Sequence, residues 1–197
     1  MNPFKETLAN ASISQDTSLA EVCKGADVLI GVSGPGIFTE DILKTLNKDP
    51  IIFAMANPEP EVRPEIAKKV RPDCIVATGR SDYPNQINNV MCFPFLFRAT
   101  LDTRSSQINE EMKMAAALAL AELAREPVPQ EVKDAIPGRD FTFGRDYVIP
   151  TPFDPRLIEK MPVAVAKAAA DSGIAKKPIA DLAAYGQRLL HPECRYV

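Results

Sequence analysis

Three short apolar runs, ADVLIGV (26–32), PIIFAMA (50–56) and DCIVATG (73–79), recur about 23 residues apart. Each is continuous rather than alternating and rich in Val and Ile, the pattern of strands buried on both faces of a parallel sheet. Helix-sized segments lie between them. TEDILKTLNK opens on Thr39 as an N-cap with Glu40 and Asp41 in its first turn, where acids favour a helix N-terminus. RPEIAKKV places Pro64 at a first helical position and Lys68 and Lys69 near the end, the arrangement helix termini prefer. Upstream, DTSLAEVCKG reads as a short helix closed by Gly25. Strand and helix therefore alternate, and right-handed crossovers turn that order into an α/β fold with an incomplete doubly wound parallel sheet.

After residue 89 the chain turns helical. NEEMKMAAALALAELARE (109–126) is alanine-rich with acids first and Arg125 near its end, a strong helix pattern. PQEVKDAI predicts a short second helix, and PGRDFTFGRDYVIPTPFDP a loop punctuated by proline and glycine. RLIEKMPVAVAKAAADSG and KPIADLAAYGQRLL predict two closing helices, the first interrupted at Pro162. The expected organisation is a sheet-bearing domain over 1–150 and a helical extension over 151–197 packed on it.

Composition removes several classes of function. A net charge of −3 over 197 residues gives no global attraction to nucleic acid or an anionic membrane. Cys23, Cys74, Cys92 and Cys194 show no CxxC or CxxH spacing, so neither a zinc site nor a disulfide framework is indicated. No secretory signal and no apolar run of about 18 residues stands out, and a cytoplasmic location is the expectation. The single histidine, His191, leaves little material for a triad or a histidine-based metal site.

The polar residues just past each strand are the candidate site, because open α/β sheets take ligands at the carboxyl ends of their strands. GVSGPG (31–36) lies between a strand and a helix, but Ser33 occupies the second glycine position of a dinucleotide fingerprint. It reads equally as a tight turn or as a loop along a ligand. As a nucleophile elbow it fails at Pro35. Asn57 follows the second strand and offers one acceptor and two donors, with Pro58 biasing its backbone toward an extended form. The plain alternative is that Asn57 merely starts a turn. GRSDYPNQINNV (79–90) follows the third strand, and Asn88 and Asn89 stand where one could cap a helix while the other meets a ligand. Asp82 and Asp102 lack a second carboxylate at ligand spacing, which argues against metal binding.

The wording of ADVLIGVSGPGIFTEDILKTL, PIIFAMANPEPEVRPEIA and, above all, ATGRSDYPNQINNVMCFPFLFRATLDTRSSQINEEMKMAAALALAELARE closely resembles the cofactor-binding domain of bacterial malic enzymes. The resemblance runs from about residue 20 to about residue 190. YVIPTPFDPRLIEKMPVAVAKAAADSGIA is similar to the end of that Rossmann-like domain in the long bacterial form, which continues into a phosphotransacetylase-like domain. The resemblance implies oxidative decarboxylation of (S)-malate to pyruvate and carbon dioxide, with NAD or NADP and Mg²⁺ or Mn²⁺. It implies that Gly31, Val32, Ser33 and Gly34 lie along the cofactor. It places Asn57 and Asn88 at the nicotinamide end, and Asn57, Asn88 and Asn89 at the malate carboxylate. The family's general base and acid, its metal carboxylates and its GxGxxG loop match nothing here, so no catalytic residue and no metal ligand is assigned. MNPFKETLA resembles the segment that follows the fingerprint, so the chain is expected to be the back half of the domain and inactive in isolation.

The implied partners are a nicotinamide dinucleotide, malate or pyruvate, and either a second copy or a separate N-terminal part. Two other readings stand beside this one: a non-catalytic association module or remnant of a malic enzyme, and the cofactor domain of an amino-acid dehydrogenase, which GRSDYPNQINN argues against. NADP is favoured over NAD only because the long bacterial form usually prefers it.

Overall fold

The three apolar runs form Val28–Gly31 (β1), Ile51–Ala54 (β2) and Ile75–Thr78 (β3), paired in parallel in the order β1-β2-β3. The computed structural model describes Pro3, Glu6 and residues 17–80 and 82–191. Cys194 and most of MNPFKETLA therefore lie outside the described residues. Two compact units are present, Met1–Gly79 and Arg80–Val197.

In the first unit the helices are Leu19–Cys23 (α1), Glu40–Thr45 (α2) and Pro64–Val70 (α3). Their starts follow local chemistry. Ser18 and Glu21 form a reciprocal capping box, and the Thr39 hydroxyl accepts the Ile42 N–H at 3.4 Å. Arg71 donates to the carbonyls of Leu43, Leu46 and Asn47 and pairs with Asp73 at 2.8 Å. That guanidinium ties the end of α2 to the approach of β3, satisfying carbonyls a helix end leaves without partners. Leu29, Ile52 and Val76 share one core with Ile42, Leu43 and Ala67.

The expectation of strands buried on both faces holds for only part of the sheet. Residues of β1 alternate between exposed and buried, and Ile30 is 60% exposed. Leu29 on one face of β1 packs with Ile42 and Leu43, while Val28 and Ile30 on the other face stay exposed.

The second unit begins with a 3-10 turn, Asn89–Met91, and continues as Phe93–Asp102 (α4), Glu110–Leu123 (α5), Gln130–Ala135 (α6), Leu157–Asp171 (α7) and Leu182–Leu190 (α8). Helix α7 packs against α4, α5 and α8, and Met91, Met112, Leu123, Met161 and Val165 fill the shared core. The interruption expected at Pro162 does not occur, and α7 runs through it. A proline inside a helix costs roughly 3 kcal/mol. Burying Leu157, Met161 and Val165 returns about 1.5–3 kcal/mol each, so packing wins. The proline- and glycine-rich segment before α7 packs Phe141 and Tyr147 against Val128 and Val132, at and just before α6, as a small separate core.

Candidate cofactor site at the strand ends

The sheet register makes the rim flush. Gly31 pairs with Ala54, and Ala54 with Thr78, so all three strands stop at one level. Met55 N–H donates to the Gly31 carbonyl at 3.0 Å and carries the pairing one residue further. The residues that follow, Val32 to Gly34, Asn57 and Gly79, therefore project from the same edge of the first unit.

Glu61 organises two of these loops. It is fully buried, at 0% exposure. Its Oε1 accepts the Ser33 N–H at 2.7 Å and the Ser33 hydroxyl at 3.2 Å, while its Oε2 accepts the Ala56 N–H at 3.0 Å. Burial pushes its carboxyl up, but the bonds from Ser33 and Ala56 outweigh that and hold it below the ordinary carboxylate value. Gly31 makes the arrangement possible, because a Cβ there would fall 2.5 Å from Glu61 Cδ.

The turn expected along the cofactor is thus partly committed to the protein. Ser33 N–H serves Glu61 and Gly31 is buried against it, whereas Val32 is 79% exposed and Gly34 half-buried. A cavity of about 470 Å³ beside the turn is lined by Glu40, Glu59, Glu61 and Arg63 among others. Of these, Glu59 pairs with Arg63 at 3.1 Å and Glu61 is bonded to Ser33 and Ala56, while the Val32–Gly34 side of the turn is the more open one.

Asn57 is exposed, and its peptide bond to Pro58 is cis. Its side chain crosses to the end of β3. A Cβ on Gly79 would meet Asn57 Nδ2 at 2.9 Å and Oδ1 at 3.3 Å. The glycine at the third strand end is there to admit the amide from the second.

Asn88 and Asn89 belong to the second unit and are both exposed. Asn88 caps the 3-10 turn, its side-chain Oδ1 accepting the Val90 N–H at 3.1 Å. The loop before them is shaped by Asn85, which is buried with a φ of 53°, a left-handed conformation asparagine adopts more readily than most residues. Asn85 donates to the Arg145 carbonyl at 2.7 Å and accepts the Val148 N–H at 2.9 Å. Asp82 pairs with Arg80, and Asp102 with Arg98, so neither stands as an open metal ligand. Among the described residues no group of three or more His, Cys, Asp or Glu could hold a metal ion, so Mg²⁺ or Mn²⁺ finds no fit in them. Among the same residues no helix is long and apolar enough to cross a membrane.

Glu61 and Asn85 escaped the sequence reading. The PEPEV stretch showed acids alternating with prolines, which signals a loop but not which acid turns inward.

A flush parallel sheet that ends in a tight glycine turn and an exposed amide defines the class of open α/β domains that take ligands at their strand ends. Residues 1–137 match the model for the malic enzyme NAD-binding domain, and the chain belongs to that family. It is 54% identical over 189 residues to the NADP-dependent malic enzyme of Rhizobium meliloti, covering 96% of this chain and 25% of that protein. To the NADP-dependent malic enzyme of Halomonas elongata it is 55% identical, covering 82% of this chain and 38% of the other. Among solved structures, malic enzyme from Entamoeba histolytica superposes with a TM-score of 0.75 at 33% identity, over 95% of this chain and 36% of that one. The Pyrococcus horikoshii malic enzyme gives 0.72 at 38% identity, over 87% and 36%. The chain thus spans about a quarter to two fifths of the length of these relatives.

Proposed function

We propose that this chain supplies the nicotinamide side of the cofactor site of a cytoplasmic, NADP-dependent malic enzyme of the long bacterial form. The reaction is oxidative decarboxylation of (S)-malate to pyruvate and carbon dioxide. The observation that carries the reading is the common rim, where the Gly31–Gly34 turn and Asn57 leave adjacent strands at one level. NADP rather than NAD follows the names of the relatives above, although an NAD-dependent malic enzyme of Rhizobium meliloti is also 50% identical. In this reading residues 1–150 form the cofactor-binding part and 151–197 a helical extension of it.

Roles follow from side-chain chemistry. Val32 and Gly34 border the dinucleotide on the open side of the turn, with Gly31 and Ser33 holding its shape. Asn57 and Asn88 offer amide donors and acceptors to the nicotinamide carboxamide, and Asn57, Asn88 and Asn89 offer donors to the malate carboxylates. A divalent metal would have to be held by carboxylates from outside the described residues, where it would polarise the forming ketone. None of the proposed site residues titrates near neutral pH, so removal of the malate hydroxyl proton needs acid–base groups from another segment or subunit. Association with such a part, in a homo-oligomeric assembly, completes the site.

Calorimetric titration of NADPH into the purified chain, alone and mixed with the separately expressed front half of a homologous enzyme, and an assay of each preparation with malate, NADP⁺ and Mg²⁺, test this. Binding, with malate-dependent formation of NADPH only in the mixture, is expected. Metal-dependent turnover by the chain alone would refute its inactivity. Failure to bind NADPH in either preparation would refute the function.

A further inference from the structure

We infer that Glu61 is a positioning residue that locks the two strand-end loops of the first unit to one another and thereby sets the place of Asn57. The inference deepens the proposed function and rests on it for its effect on the cofactor.

One carboxylate bridges segments far apart in sequence. Oε1 is committed to Ser33 after β1, and Oε2 to Ala56 after β2. Asn57 follows Ala56 directly, so anchoring Ala56 fixes the backbone from which the amide departs. The backbone of Glu61 is tied as well, because its carbonyl accepts the Phe38 N–H at 3.2 Å. Among the described residues no salt bridge includes Glu61, so its charge is held by two backbone N–H groups and a hydroxyl rather than by a cation. An anion buried without such donors would be far too costly to keep, and charge-assisted bonds to backbone N–H groups are about twice as strong as neutral ones.

The charge itself is needed. All three contacts donate to the carboxylate, so glutamine, its near-isostere, would turn an NH₂ toward an N–H at one end and release one loop. Glu61 touches no ligand in this scheme. Its influence passes through Ala56 to Asn57 and through Ser33 to the turn. The charged groups around it are Glu40, Glu59 and Arg63 on the rim of the neighbouring cavity. Exposed Arg63 already pairs with Glu59 at 3.1 Å.

The test uses the full 197-residue chain, wild type, Glu61→Gln and Glu59→Gln, with ¹⁵N spectra recorded across acid pH and NADPH titrated at neutral pH. In the wild type, the amides of Ser33 and Ala56 and the side-chain amide of Asn57 should move with one shared midpoint below the ordinary carboxylate range. Glu61→Gln should abolish that transition, displace the Asn57 signal and weaken NADPH binding about tenfold, the loss of one charge-assisted bond. Glu59→Gln, the same charge change on a half-buried neighbour that pairs with Arg63, should do none of these. Separate midpoints, or an Asn57 signal indifferent to Glu61→Gln, would overturn the inference, as would unchanged NADPH affinity in that variant. Should Glu61→Gln fail to fold, the shared wild-type midpoint decides. Should the wild type bind no NADPH, the functional reading fails, and the Asn57 signal still tests the clamp.

Discussion

Replacing Gly31 with alanine probes the tightest contact of the rim. The new methyl carbon would stand 2.5 Å from Glu61 Cδ, 2.7 Å from Oε1 and 2.8 Å from Cγ, against a comfortable separation of about 3.5–4.0 Å. Glu61 must withdraw by roughly 1 Å to restore that separation, and withdrawal stretches the 2.7 Å bond from Ser33. Losing one bond to a buried charge costs about 1.5–3 kcal/mol, while leaving Glu61 in place costs an overpacking penalty of about 1–3 kcal/mol. Alanine recovers about 0.4–1 kcal/mol by restricting the unfolded chain. The net loss is about 1.5 kcal/mol, or roughly tenfold in the population of opened molecules. Hydrogen exchange of the β1 and β2 amides reads that number locally, without interference from the helical unit. Gly79→Ala is the companion variant. Its nearest contact, 2.9 Å, is to the exposed amide of Asn57, which can swing away, so exchange should change by less than about threefold while NADPH affinity falls. Exchange in Gly31→Ala within threefold of wild type, or a larger effect from Gly79→Ala, would refute the reasoning.

Tyr185 donates its hydroxyl to Asp102 at 2.8 Å, and burial, reinforced by that bond, pushes its hydroxyl well above the usual tyrosine value. Because the neutral form is favoured in the fold, its stabilisation is complete below about pH 10 and fades as pH rises beyond it. Tyr185→Phe should cost about 1.5 kcal/mol at pH 7 and remove that alkaline loss; equal urea midpoints at pH 7 would contradict it. Arg156 holds Asp154, whose side chain is 0% exposed, with a second reach to Glu126. Arg156→Met should lower stability by about 3 kcal/mol, and a shift below 1 kcal/mol in a urea titration would count against the pairing. In the first unit, hydrogen bonding from Arg71 lowers Asp73, and the donors from Ser33 and Ala56 lower Glu61 despite its burial. Both carboxylates stabilise the fold above the ordinary values near 4 and stop doing so as pH falls through their lower folded values. The β1–β2 amides should therefore begin to lose protection only as pH falls below about 4, and protection that stays flat on further acidification would exclude the mechanism.

The strands were legible because burial leaves a compositional mark: 26–32, 50–56 and 73–79 each hold a strand at their centre. Helix starts were legible for a similar reason. Thr39 and Pro64 act at the positions their chemistry suits. Pro162 was misread because local propensity gave way to tertiary burial, and the open face of β1 because an apolar strand looks alike whether or not a second layer covers it. Of the pair Asn88–Asn89, the sequence could say that one would cap but not which one, since the choice depends on backbone angles at a turn.

The candidate site divides along the same line. Asn57 could be singled out because a polar residue just past an apolar strand is conspicuous in a sequence, and the structure leaves it exposed. Glu61 could not, because its partners are the backbone N–H groups of Ser33 and Ala56, and backbone donors have no identity in a sequence. The one trace it leaves is negative: Gly31 sits at a strand end with ordinary backbone angles open to any residue, and only the carboxylate behind it explains the missing side chain. Glycine at a strand end without a positive φ thus points inward, to a group packed against the backbone. Asn57 crossing Gly79 follows the same logic. Two glycines at the ends of the outer strands β1 and β3, each vacated for a polar side chain from the loop after the central strand, mark the β2–α3 loop as the element around which this rim is built.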